Sequence, residues 1–135
     1  MITTGGRQFL RNQLNTGVGW QIGSGGDSTN PNASELDSPI TTAIQTSGIT
    51  IASSGESTID YTITITGGTY VGYTVKEIGL YETTDDTLIC RVPLDPIGPL
   101  VSTDEIEVVI TLEVDWWQIQ KILLVKLLHL VTMQI

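Results

Sequence analysis

The chain has 135 residues, which suits one domain whose core buries about two-thirds of the surface exposed when unfolded. Fifteen acidic residues against six basic ones leave a formal charge of −9, with no positive surplus to displace phosphate counterions, so the composition argues against nucleic acid as a partner. Hydrophobic residues are 40% and charged residues 16%, unlike a disordered chain, and a single cysteine (Cys90) and a single histidine (His129) exclude a disulfide framework, a cysteine zinc cluster and any scheme needing two histidines.

In chain order, the first expected element is a helix near residues 5–15. Phe9, Leu10, Gln13 and Leu14 cluster on one face, and Asn15-Thr16-Gly17 supplies a C-terminal stop. No charged n-region followed by an apolar h-region precedes it, so assembly in a host cytoplasm is expected. Val18-Gly19-Trp20-Gln21-Ile22 alternates and reads as a short strand. Residues 23–39 are rich in Gly, Ser, Asn, Asp and Pro and read as a long surface loop.

From residue 47 the period is two. Ile49 and Ile51 alternate with Thr50 and Ala52, and Ile59, Tyr61, Ile63 and Ile65 alternate with Asp60 and threonines before Gly67-Gly68. Val75–Tyr81 and Thr87–Val92 read as a hairpin joined by Glu82-Thr83-Thr84-Asp85-Asp86, with Pro93, Pro96, Gly98 and Pro99 ending the second strand. Ile106, Val108, Ile110, Leu112 and Val114 mark a last alternating strand. The expected fold is mainly β, an antiparallel β-sandwich over residues 1–115 with a short N-terminal helix.

Residues 116–135 change composition. All fifteen acids lie in 1–115 with four bases, a balance of −11, whereas 116–135 holds Lys121 and Lys126 and no acid. Gln118, Lys121, His129 and Thr132 share one face of a helical wheel, and most other positions are Leu, Ile, Val, Trp or Met. A C-terminal apolar helix is expected, and its broad apolar face needs a partner. Packing on further copies or another subunit is favoured over folding back on the sandwich. Its lysines, histidine and glutamines argue against a membrane helix. The expected oligomer-interface residues are Trp116, Trp117, Ile119, Leu123, Leu124, Leu127, Leu128 and Val131.

Chemistry is sparse. Gly17-Val18-Gly19-Trp20-Gln21-Ile22-Gly23 places its third glycine one residue too late for G-x-G-x-x-G and leads into a loop, so it reads as tight turns. Asp85-Asp86 and Asp104-Glu105 could join a calcium site but lack the loop pattern of one. Asp27, Asn30, Asn32, Glu35 and Asp37 are the better oxygen set, although solvated loop charge accounts for them too. Hydroxyls are plentiful, but the single histidine, His129, lies on the polar stripe of the apolar segment and reads as an interface or surface residue, and Cys90 reads as a buried small hydrophobe. No catalytic, cofactor or metal residues are assigned. Asn32-Ala33-Ser34 is a glycosylation sequon. Tyr70 and Tyr73, near a turn, are a possible receptor contact as an aromatic platform for a sugar, or simply packing.

Several segments together resemble a known group: Ile22-Gly23-Ser24-Gly25, a loop ending in Glu35-Leu36, Tyr61-Thr62-Ile63-Thr64, Val75-Lys76-Glu77-Ile78-Gly79-Leu80-Tyr81-Glu82, Asp86-Thr87-Leu88-Ile89-Cys90-Arg91-Val92, and Asp104-Glu105-Ile106. Residues 5–115 resemble the small β-sandwich structural proteins of tailed viruses, found in tail fibres and baseplates. Glu-Ile-Gly-Leu-Tyr with the following hairpin is the most specific part. The resemblance implies a non-enzymatic virion protein that assembles as a homo-oligomer with other virion proteins, with no cofactor. A capsid surface or vertex protein, and a carbohydrate- or receptor-binding module contacting a host-surface glycan, are the alternatives. The acidic, lysine-poor body would suit a virus of haloarchaea. The segment 116–135 has no counterpart in the resemblance.

Overall fold

A computed structural model describes residues 3–15, 17–25, 30–41, 43–53, 58–114, 119–120 and 126–131. The element order is α1 (Thr4–Gln13), β1 (Val18–Gly23), β2 (Ile49–Ser53), β3 (Thr58–Thr66), β4 (Val75–Glu82), β5 (Thr87–Ile97), β6 (Asp104–Val114), β7 (Ile119–Gln120) and β8 (Lys126–Val131).

The helix starts where Thr3 caps it, its hydroxyl accepting from the Gly6 N–H at 3.0 Å. It ends at Leu14, and Gly17 then turns the chain at φ +66°. Leu14 packs on the core, but Phe9, expected on the same apolar face, is 62% exposed.

Two antiparallel sheets follow. One has the order β1-β4-β5, and the other runs β2-β3-β6 and is extended by β7 and β8 on β6. The alternating β3 explains the second sheet. Its Ile59, Tyr61, Ile63 and Ile65 are buried, while Thr58, Asp60, Thr62 and Thr64 between them are half-buried on the other face. Register carries this onto β6, where Ile106, Val108, Ile110 and Leu112 lie opposite Ile65, Ile63, Tyr61 and Ile59. Val18, Trp20, Ile22, Ile78, Leu80 and Val92 of the first sheet join those residues in a single hydrophobic core.

Two expectations are corrected. Of the expected stops, Pro93 and Pro96 do not end the second hairpin strand, for β5 continues to Ile97, next to Gly98 and Pro99. It is an edge strand among the described residues, paired only with β4, and an edge can accept residues that lack an N–H. The C-terminal apolar helix is likewise not found where residues 116–135 are described. Residues 119–120 and 126–131 are strands, with Ile119 opposite Val114 and Leu127, Leu128 and Val131 opposite Val108, Glu107 and Asp104. An apolar run of this length fits a helix or a strand equally well on periodicity alone. The unpaired N–H and C=O groups along β6 favour the strand. The rest of the expected helix lies outside the described residues.

Candidate functional site

The most specific part of the sequence pattern, Glu77–Tyr81, lies in β4 and faces two ways. Ile78 and Leu80 enter the core, while Glu77, Gly79 and Tyr81 are also buried, on the opposite face of the sheet. That face is covered by the segment between β1 and β2. It pairs along the open edge of β1: Trp20 and Gln45 exchange N–H···O bonds of 2.9 and 2.8 Å, and the Ile40 N–H donates to the Ile22 carbonyl at 2.8 Å. β1 is consequently buried at all six positions.

Glycines make room for this cover. A Cβ at Gly79 would meet the Leu36 side chain at 3.1 Å, one at Gly19 would meet the Ile44 side chain at 2.6 Å, and one at Gly23 would meet the Glu77 side chain at 2.8 Å. Leu36 is accordingly 2% exposed although its segment is mostly polar.

Polar groups complete the clasp. Arg91 donates to Glu77 Oε2 at 2.8 Å, and both side chains are buried. Asp37 of the covering segment approaches the same guanidinium at 3.6 Å. Burial opposes the Arg91 charge, but the hydrogen bond and charge of Glu77, with Asp37 behind it, hold the guanidinium above its usual value. The Tyr81 hydroxyl donates to Gln21 Oε1 at 2.9 Å and accepts from the Leu36 N–H at 3.3 Å, and Gln21 Nε2 donates to the Thr41 carbonyl at 2.6 Å. Burial pushes the Tyr81 phenol above its usual pKa. The arrangement positions a loop; it offers no nucleophile beside a base.

Other sequence candidates are dispersed. Tyr70 is 8% exposed and belongs to the core, whereas Tyr73 is 50% exposed, so the two rings do not present a common platform. Tyr73 instead shares one end of the molecule with Val71 and Val101. The two turns there are joined by hydrogen bonds from the Gly72 N–H to the Leu100 carbonyl and from the Leu100 N–H to the Tyr73 carbonyl. Cys90 is buried and forms no disulfide. Among the acids, Asp104 Oδ2 accepts from the Val101 N–H at 2.9 Å and braces its turn. Glu82 accepts from the Thr84 and Asp85 N–H groups ahead of Asp86, which sits at φ +55°. Thr84 holds the Glu82 carboxyl below its usual value.

In the loop, Asn30 accepts from the Asn32 N–H in a local turn, Asp37 faces Arg91, and Asp27 lies outside the described residues. Among the described residues no three His, Cys, Asp or Glu converge as metal ligands, and no helix is long and apolar enough to cross a membrane. Asn32 of the sequon is exposed. Trp116, Trp117, Leu123 and Leu124 also lie outside the described residues. Sequence reasoning missed Gln21, Glu77 and Arg91. Their signal is polar residues inside otherwise apolar strands, with Gly19 and Gly23 on either side of Gln21 and Gly79 beside Glu77.

Compared with protein-family models, with curated proteins and with solved structures, the chain matches none.

Proposed function

We propose that the chain is a non-enzymatic structural subunit of a tailed-virus virion, placed in the tail, baseplate or fibre. In this reading residues 1–115 form a rigid β-sandwich, and 116–135 join copies into a symmetric oligomer or dock it on other virion proteins. The observation that carries the reading is the use made of the Glu77–Tyr81 segment. It is the part that most resembles such proteins, and every residue in it is spent on architecture: two in the core, one making room for Leu36, two in the polar clasp. A stiff module with its long loop fastened down suits a load-bearing part. The pairing of 126–131 on β6 adds a route to assembly, because a strand on an edge can be supplied by a neighbouring copy as well as by its own chain.

Light scattering after size exclusion, in low and in molar salt, tests this on the full chain and on a chain ending at Asp115. A defined oligomer of the full chain and a monomer of the shorter one are expected. A full chain that stays monomeric in both salts at every concentration overturns the assembly reading.

A further inference from the structure

We propose that the cleft beside Trp20 binds a neutral hexopyranose, free or at the end of a glycan. The cleft holds about 290 Å³, close to the lower bound for small-molecule sites, roughly 300 Å³. Trp20 and Tyr70 line it together with Thr64, Thr66, Thr69 and Gln45. A small, mainly apolar cleft bordered by hydroxyl-bearing and amide-bearing residues complements a sugar ring, whose C–H face is apolar and whose rim is hydroxyls. Among the described residues the lining contains no carboxylate, amine, guanidinium or imidazole, in a chain with fifteen acids and six bases. A charged ligand would lose hydration there and find no countercharge, whereas a neutral polyol exchanges one set of hydrogen bonds for another.

The site is held in shape before any ligand arrives. The Trp20 indole N–H donates to the Ser47 carbonyl at 2.8 Å, and the Trp20 backbone is paired with Gln45. Gly48, at φ +70°, keeps the cleft open: a Cβ there would meet the Thr64 carbonyl oxygen at 2.9 Å and approach the Trp20 ring at 3.9 Å. The Thr66 and Thr69 hydroxyls lie 3.2 Å apart and bond to each other. Each hydroxyl carries one donor and two acceptor sites, so the bonded pair keeps one donor and further lone pairs for a ligand. Both threonines are solvent-accessible, so replacing them leaves the core intact.

The test is methyl-detected NMR on the full chain, titrated with methyl α-D-glucopyranoside, methyl β-D-galactopyranoside and N-acetylglucosamine, and with glucuronate as the charged control. Saturable shifts of the Thr64, Thr66 and Thr69 methyls are expected with at least one neutral sugar, with a dissociation constant in the millimolar range appropriate to so small a ligand. Glucuronate should leave those methyls unmoved. Thr66→Val with Thr69→Val should weaken binding about tenfold without disturbing the remaining spectrum. Absence of shifts with all three neutral sugars overturns the site, as does an equal response to glucuronate or an unchanged affinity in the double variant. The inference is independent of the assembly reading, which a negative titration would leave untouched.

Discussion

Arg91 and Glu77 show how single residues govern this fold. A buried ion pair adds little over two apolar residues of the same shape, but removing one partner strands a charge where water cannot reach it. Arg91→Ala is therefore expected to cost about 3–5 kcal/mol in urea unfolding. Replacing both, as Glu77→Gln with Arg91→Met, should cost less than the single change. The covering segment should also become sensitive to proteolysis in Arg91→Ala, because Asp37 loses the guanidinium it faces. A loss below about 1 kcal/mol, the scale of an exposed pair, would show that this pair does not hold the cover. Gly67 belongs to the same scale for a steric reason: a Cβ there would overlap the Val101 carbonyl oxygen, a backbone atom unable to step aside.

Elements are joined by a few directed bonds. The described side chains of the helix are exposed or half-buried, Phe9 among the exposed ones at 62%. Its C-terminal carbonyls lack partners within the helix, and Tyr61 supplies one by donating to the Leu14 carbonyl at 2.6 Å from a fully buried ring in β3. Tyr61→Phe keeps the ring and removes that donor. About 1 kcal/mol of stability should be lost, and hydrogen exchange in residues 4–13 should quicken more than in β3 or β6. Uniform quickening across all elements would mean that the bond supports the core as a whole and has no special part in holding the helix. At the sheet edges, β1 is covered by its own loop and β5 carries Pro93 and Pro96, so both edges of the first sheet are guarded against stray pairing.

For the whole molecule, the buried phenols set its behaviour in alkali. Burial pushes the pKa of Tyr61, Tyr70 and Tyr81 upward, most strongly at Tyr61. A raised value in the fold means that the folded state holds the proton more tightly than the unfolded chain does. The associated stability is fully present below the ordinary phenol value, about 10, and is lost as pH rises through the folded values. Urea stability should therefore fall steadily above pH about 10. The tyrosinate absorbance of these three residues should appear only with unfolding. Ionisation of all three at the ordinary value, with the fold intact, would contradict the burial.

Strands β2, β3 and β6 were legible because a half-buried strand writes its two faces into alternate residues, and Ile59–Ile65 against Thr58–Thr66 is that record. The short helix and the hairpin turn were legible for the same local reason: caps and turns depend on residues a few positions apart. What the tertiary structure decided is everything that depends on two distant segments meeting. The sequence marks residues 23–39 as loop, yet only the fold shows Leu36 seated over Gly79 and Asp37 facing Arg91. Tyr70 and Tyr73 are near neighbours in sequence and differ in burial, because one ring reaches the core and the other the end of the molecule. In 116–135 a polar face at helical spacing pointed to a helix, whereas 126–131 form a strand. The choice fell to β6, whose unpaired backbone groups a strand satisfies and a helix does not.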